Sequence, residues 1–277
     1  MSTILVVANE TLGGASLLEA IEAKAGPDDR IVICVPRNRP REGLVIYDDA
    51  VYDAAQVRID LERQFLRERG LTAVGDVGDP DPYTAAMDAV AEWRPDEIIV
   101  STYPATSSGW MRRDIIERIS EATGLPVTHV ITDVDTEGLP FDVTLVVANR
   151  TAAGEKLIEH LRSMKGDGGR NRLFIVVVPQ EGGGGTAAQA ARGRLGQVLD
   201  LLRAENILCA GMIGDPDPYT ATMNALQFFR VDDIVISTLP ATRSGWLRAD
   251  LIERVRKTTG KPVEHVEAID RAAANAA

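Results

Sequence analysis

The sequence predicts an α/β protein of two tandem doubly wound domains, each an open five-stranded parallel sheet with helices on both faces. Three observations carry this reading. The run Gly78-Asp79-Pro80-Asp81-Pro82-Tyr83-Thr84-Ala85 returns at Gly214-Asp215-Pro216-Asp217-Pro218-Tyr219-Thr220-Ala221, and the register holds without a gap to Val127 and Val263, with 30 of 50 positions identical. Leu5-Val6-Val7-Ala8-Asn9 likewise matches Leu145-Val146-Val147-Ala148-Asn149, in a slightly different register that small indels between the blocks account for. Within each copy, apolar runs alternate with helical patterns. A duplicated block of about 140 residues can bury its own core and is too long for a solenoid repeat. The predicted domains are residues 1–137 and 141–271.

The elements follow in order. Ile4 to Ala8, Ile31 to Val35 and Ile98 to Val100 are unbroken apolar runs, as expected of strands covered on both faces. Leu17, Leu18 and Ile21 make a short amphipathic stripe, and Val57, Leu61 and Phe65 a longer one with a spacing of four. Asp81 followed by Pro82 reads as an N-cap and an N1 proline opening a third helix through Ala85, Met87, Ala89 and Val90. Met111, Ile115, Ile116 and Ile119 line a fourth helix, which Gly124 ends and Pro126 keeps from resuming. Val127 to Ile131 closes the copy as a fifth strand, and the second copy repeats the order from Val143 to Val266. Alternation of this kind implies a parallel sheet, whose ligands gather at the carboxyl ends of the strands. Asp135 to Phe141 is the expected linker: turn-rich, and too short to be a tether.

Composition narrows the function classes. The 277 residues are 45% apolar and 26% charged, with a net charge of −11, which disfavours nucleic acid and anionic membranes as partners. The charge is uneven: residues 1–140 carry 13 basic and 25 acidic side chains, residues 141–277 carry 17 and 16. No stretch is long and apolar enough for a membrane span, and Met1-Ser2-Thr3 runs directly into a strand, so the expected location is cytoplasmic. Cys34 and Cys209 occupy positions that do not correspond between the copies, which fits buried free thiols and not a shared redox or metal centre.

The candidate sites lie where the topology directs attention. After the fourth strand come Ser101-Thr102-Tyr103-Pro104-Ala105-Thr106-Ser107-Ser108-Gly109-Trp110 and Ser237-Thr238-Leu239-Pro240-Ala241-Thr242-Arg243-Ser244-Gly245-Trp246. Hydroxyls and a glycine leading into a helix N-terminus can hold a phosphate, although capping by Ser108 and Ser244 explains the serines equally well. With the ends of strands one and two, the predicted nucleotide-binding residues are Asn9, Thr11, Val35, Ser101, Thr102, Thr106, Ser107, Ser108 and Gly109 in the first copy. In the second they are Asn149, Thr151, Val178, Ser237, Thr238, Thr242, Ser244 and Gly245. Asp79 and Asp81 read as structural residues of a strand-to-helix turn and not as metal ligands. His129 and His265 correspond on the last strands and read as packed or interface histidines. Gly182 to Gly185 reads as a flexible loop, because no lysine with serine or threonine follows it. No catalytic set and no metal motif can be singled out.

On the segments Leu5 to Asn9, Gly78-Asp79-Pro80, Ile98 to Ser101 and Ile115 to Val127, each copy resembles the universal stress protein family. That resemblance implies a strand order of 3-2-1-4-5, pairing of domains through the last strand and, in one branch, ATP at the strand ends. It also implies an acidic residue at the end of strand one and a Gly-Ser or Gly-Thr pair opening the last helix. Here Asn9 and Asn149 stand in place of the acid, and Arg113-Asp114 and Ala249-Asp250 in place of the pair. An aspartate facing a phosphate opposes binding by ~1 kcal/mol or more where solvent is partly excluded. Three functions stay open: a non-catalytic stress-type protein whose tandem domains form an intramolecular pseudo-dimer, acting through a protein partner or small ligand; an adenine-nucleotide binder using ATP or a related nucleotide; and a nucleotide hydrolase or transferase. A higher homo-oligomer also stays open.

Overall fold

The structure is a computed structural model that describes residues 2–38, 48–104, 114–165, 171–182, 184–240, 245–248 and 250–268. Contacts divide the chain into two units, Met1–Arg39 with Ala55–Pro140, and Pro40–Ala54 with Phe141–Ala277. The first sheet comprises β1 (Thr3–Val7), β2 (Arg30–Pro36), β3 (Thr72–Gly78), β4 (Glu97–Thr102) and β5 (Val127–Ile131). All its strands are parallel and their order is β3-β2-β1-β4-β5, as the family resemblance implies. Between them run α1 (Ala15–Lys24), α2 (Asp48–Glu68), α3 (Pro82–Trp93) and α4 (Ile115–Thr123).

A short helical turn, α5 (Val134–Glu137), follows in the segment read as a linker. It is anchored within the first unit, because the Glu137 carboxylate accepts from the backbone N–H and the hydroxyl of Ser16 at the start of α1, the hydroxyl at 2.7 Å. A side-chain acceptor there satisfies donors that the first helical turn leaves free.

The second sheet, β6 (Phe141–Val147), β7 (Asn171–Pro179), β8 (Leu208–Gly214), β9 (Asp233–Thr238) and β10 (Val263–Glu267), repeats the plan with order β10-β9-β6-β7-β8. Its helices are α6 (Glu155–Met164), α7 (Gly185–Ala204), α8 (Pro218–Phe228), the short α9 (Gly245–Arg248) and α10 (Leu251–Thr259). Central strands are buried throughout, with Ile4 to Val7 and Leu145 to Val147 inaccessible to solvent, as their unbroken apolar runs require. The tetraglycine differs from the loop expectation at its end: Gly184, at φ +112°, is the N-cap of α7 and Gly185 its first residue.

The repeated octapeptide has one structural job in both units. Asp79 accepts from the Asp81 N–H at 2.8 Å, and Asp81 accepts from the Thr84 N–H at 3.0 Å; Asp215 and Asp217 do the same, with Thr220 as the last donor. The turn is thus stiffened by proline and closed by aspartates before the helix begins. Gly124 and Gly260 terminate α4 and α10 at φ +66° and +64°, a left-handed conformation that glycine adopts without strain.

Candidate functional site

In each unit strand order reverses beside the first strand, so the turn after that strand opens at the carboxyl edge of the sheet. In the first unit this turn runs from Asn9 to Gly14. Two backbone bonds hold it, from Leu12 N–H to the Asn9 carbonyl and from Gly14 N–H to the Thr11 carbonyl. Gly14 admits no side chain, since a Cβ there would collide with Thr132 Cγ2. The Asn9 Nδ2 donates to the Pro36 carbonyl at 2.9 Å, tying the end of β1 to the end of β2. Its Oδ1 and the Thr11 hydroxyl are buried without a hydrogen-bond partner among the described residues.

Two side chains from α2 reach the same region. Glu62, 2% exposed, takes the Gly13 N–H, while its Oε1 has no partner among the described residues. Burial pushes its carboxyl up to about 7, so it holds a proton over much of the neutral range. Arg58, one helical turn earlier, interacts electrostatically with Glu10 and Tyr103, and the Tyr103 hydroxyl donates to the Glu10 carbonyl.

The end of β4 is already engaged. Ser101 and Thr132 share a hydroxyl hydrogen bond of 2.9 Å, and Thr102 Oγ1 lies 2.8 Å from His129 Nε2. Burial holds the His129 imidazole below its ordinary pKa, which keeps it neutral against the threonine. His265 repeats this geometry with Thr238 at 2.8 Å and is lowered for the same reason. Each histidine therefore has a partner at the strand end of its own sheet.

The second unit keeps the backbone of the site and changes its charge. Ala152 N–H bonds to the Asn149 carbonyl, Gly154 N–H to the Thr151 carbonyl, and the Thr151 hydroxyl to the Ser237 carbonyl at 3.1 Å. Asn149 Nδ2 lies 3.4 Å from Glu181 Oε1. Arg150 Nε and Nη2 engage the two Glu181 oxygens at 2.5 and 3.2 Å, which holds that carboxyl low and the guanidinium high. Arg194 on α7 adds its charge to the same carboxylate without hydrogen bonding to it. Asn149 Oδ1, Ser237 Oγ, and Nε and Nη2 of Arg194 are buried without partners among the described residues.

Of the predicted positions, Asn9 with Thr11 and Asn149 with Thr151 share the turns after the first strands, and Ser101, Thr102, Ser237 and Thr238 end the adjacent strands. Val35 and Val178 are fully covered within β2 and β7. Gly245 opens α9. Thr106, Ser107, Ser108, Gly109, Thr242 and Ser244 lie outside the described residues. Sequence reasoning missed Glu10, Arg58, Glu62, Arg150, Glu181 and Arg194. The repeat register held a signal for the arginines, since Arg58 and Arg194 correspond in the same register as the helix-end residues Leu66 and Leu202 and as the two octapeptides. Among the described residues no group of three or more His, Cys, Asp or Glu side chains could hold a metal ion, and no helix is long and apolar enough to cross a membrane. Cys34 and Cys209 are buried free thiols, and burial pushes the Cys34 thiol up to about 12.

The chain is similar in structure to universal stress proteins. A universal stress protein from Archaeoglobus fulgidus aligns at 16% identity and a TM-score of 0.36, covering 97% of this chain and 97% of that one. An AMP-bound universal stress protein family protein from Arabidopsis thaliana aligns at 12% identity and 0.35, covering 49% of this chain and 95% of its own. A Pseudomonas aeruginosa protein described as functionally unknown aligns at 17% identity and 0.31, covering 99% and 95%. No family model and no curated protein matches the sequence.

Proposed function

We propose that the chain is a non-catalytic binding protein of the universal stress type. Its two domains, residues 1–137 and 141–271, form an intramolecular pseudo-dimer that offers the carboxyl ends of its strands to a small ligand. An adenine nucleotide is the ligand to test first.

One observation carries the binding reading. Asn9 Oδ1, Thr11 Oγ1, Asn149 Oδ1 and Ser237 Oγ are buried polar atoms without partners among the described residues, and all four lie at the strand ends. An unsatisfied buried polar atom costs about 1–3 kcal/mol. A ligand presenting hydroxyls, amines and oxyanions would recover part of that cost. The non-catalytic part of the reading is supported by the geometry of the reactive side chains: both cysteines are buried in strands, and His129 and His265 are bonded to threonines.

The test is a thermal-shift panel of AMP, ADP and ATP on the full chain, with and without magnesium, alongside a phosphate-release assay. A nucleotide at 100 times its dissociation constant stabilises the fold by about 2.7 kcal/mol, and no turnover is expected. Absence of any shift rules out the nucleotide reading, and sustained phosphate release rules out the non-catalytic one.

A further inference from the structure

Burying a guanidinium without partners is costly, because its five donors form a rigid planar fork and its charge cannot be removed near neutral pH. Arg194 is in this position at two of its nitrogens: the residue is half-buried, and its Nε and Nη2 atoms are buried with no hydrogen-bond partner among the described residues. Those two nitrogens suit two oxygens of one carboxylate or phosphate group.

The first copy shows how the chain answers the same problem with its own residues. Arg58, the counterpart of Arg194 in the register of the octapeptides, has its charge offset by Glu10. At the counterpart of Glu10, one position beyond the paired Asn9 and Asn149, the second copy carries Arg150. The acid that faces the helix-borne arginine in one copy is thus replaced by a second base in the other. Tyr103, whose hydroxyl donates to the Glu10 carbonyl, is replaced as well, by Leu239. Glu181 acts on both guanidiniums but hydrogen-bonds through both oxygens to Arg150, and one carboxylate offsets only one of the two positive charges. Arg150, Glu181 and Arg194 together carry one net positive charge at the carboxyl ends of β6 and β7.

We infer that the second unit binds an oxyanion, the phosphate or carboxylate group of a small molecule, through the Nε and Nη2 donors of Arg194. Arg150, paired with the Glu181 that Arg194 also influences, adds long-range attraction. In the first unit Glu10 offsets the charge of the equivalent arginine, so weaker anion binding is expected there. This deepens the binding reading above and rests on it only for the location of the ligand.

The experiment titrates the full-length protein with inorganic phosphate and, separately, with acetate, by calorimetry or by amide chemical shifts, to distinguish the two anions. At least one should bind, more weakly as salt rises. Arg194→Met should weaken binding by roughly tenfold or more, the loss of a charge-assisted pair of bonds. Lys257→Met, which removes an equal charge from the exposed face of α10, should leave it within a factor of about two, because exposed charges act weakly at a distance. Should Arg194→Met fail to fold by circular dichroism, Arg150→Met serves in its place; that side chain is 66% exposed, and its loss should also weaken binding. The inference is overturned if neither anion binds, if the arginine variants bind as the parent does, or if Lys257→Met weakens binding as much as Arg194→Met. A nucleotide that binds independently of Arg194 overturns this inference and leaves the binding reading intact. An anion held through Arg194 with no nucleotide response leaves this inference intact and rules out the nucleotide as the ligand.

Discussion

A carboxyl group enclosed by a protein either ionises without solvent or keeps its proton, and Glu62 keeps it until about pH 7 because burial outweighs its bond from Gly13. Its folded pKa is raised above the ordinary value of 4.5, so the folded state binds more protons than the unfolded state between those limits. Stability contributed by this group is therefore fully present below about pH 4.5 and is lost as pH rises through about 7. Glu62→Gln keeps an oxygen for the Gly13 N–H and never ionises. The variant should melt higher than the parent at pH 8 and show no gain at pH 4.5; a gain that does not change with pH would contradict the assignment. The apolar stripe Val57, Leu61 and Phe65 is legible in the sequence, but Arg58 and Glu62 each follow one of its members and read as solvated neighbours. Only the folded helix shows that they face the turn after β1. Asn9 and Thr11 were legible because topology alone marks the end of the first strand.

At the scale of elements, close approach between strand and helix constrains the sequence more than capping does. A Cβ at Gly78 would lie 2.6 Å from Ala85 Cβ, and one at Gly214 would lie 2.7 Å from Ala221 Cβ. The octapeptide therefore repeats a small residue at each end of one contact, glycine on the strand and alanine on the helix. Gly78→Ala and Gly214→Ala should each destabilise the chain by about 1–3 kcal/mol, the usual cost of overpacking, as read by chemical denaturation. Alanine at either position with unchanged stability would show that α3 or α8 can shift outward. The strands were legible because doubly covered strands leave no polar alternation, and the caps because aspartate before proline has a specific local meaning. The helical turn at Val134–Glu137 was not: four residues carry no period, and its anchor is Ser16, far away in sequence. The last helices were only partly legible, since Asp114 and Asp250 precede them at φ +45° and +48°, a left-handed conformation that aspartate tolerates and that no apolar pattern reports.

Across the whole molecule, duplication preserved the sheets and changed the charge. Residues 1–140 hold nearly twice as many acidic as basic side chains, while residues 141–277 are close to balanced. The exchange of Glu10 for Arg150 sets that difference at the strand ends themselves. A small anionic ligand should accordingly favour the second unit, with one molecule bound per chain, and its affinity should fall as salt rises. The most direct measurement is a crystal structure of the full chain grown with AMP, since it places the ligand and counts it at once. The account predicts one AMP per chain at the carboxyl ends of β6, β7 and β9, its phosphate on Arg194 and a hydroxyl or amine on Asn149 Oδ1. AMP at the first unit alone, at a surface away from the strand ends, or bound nowhere would contradict it.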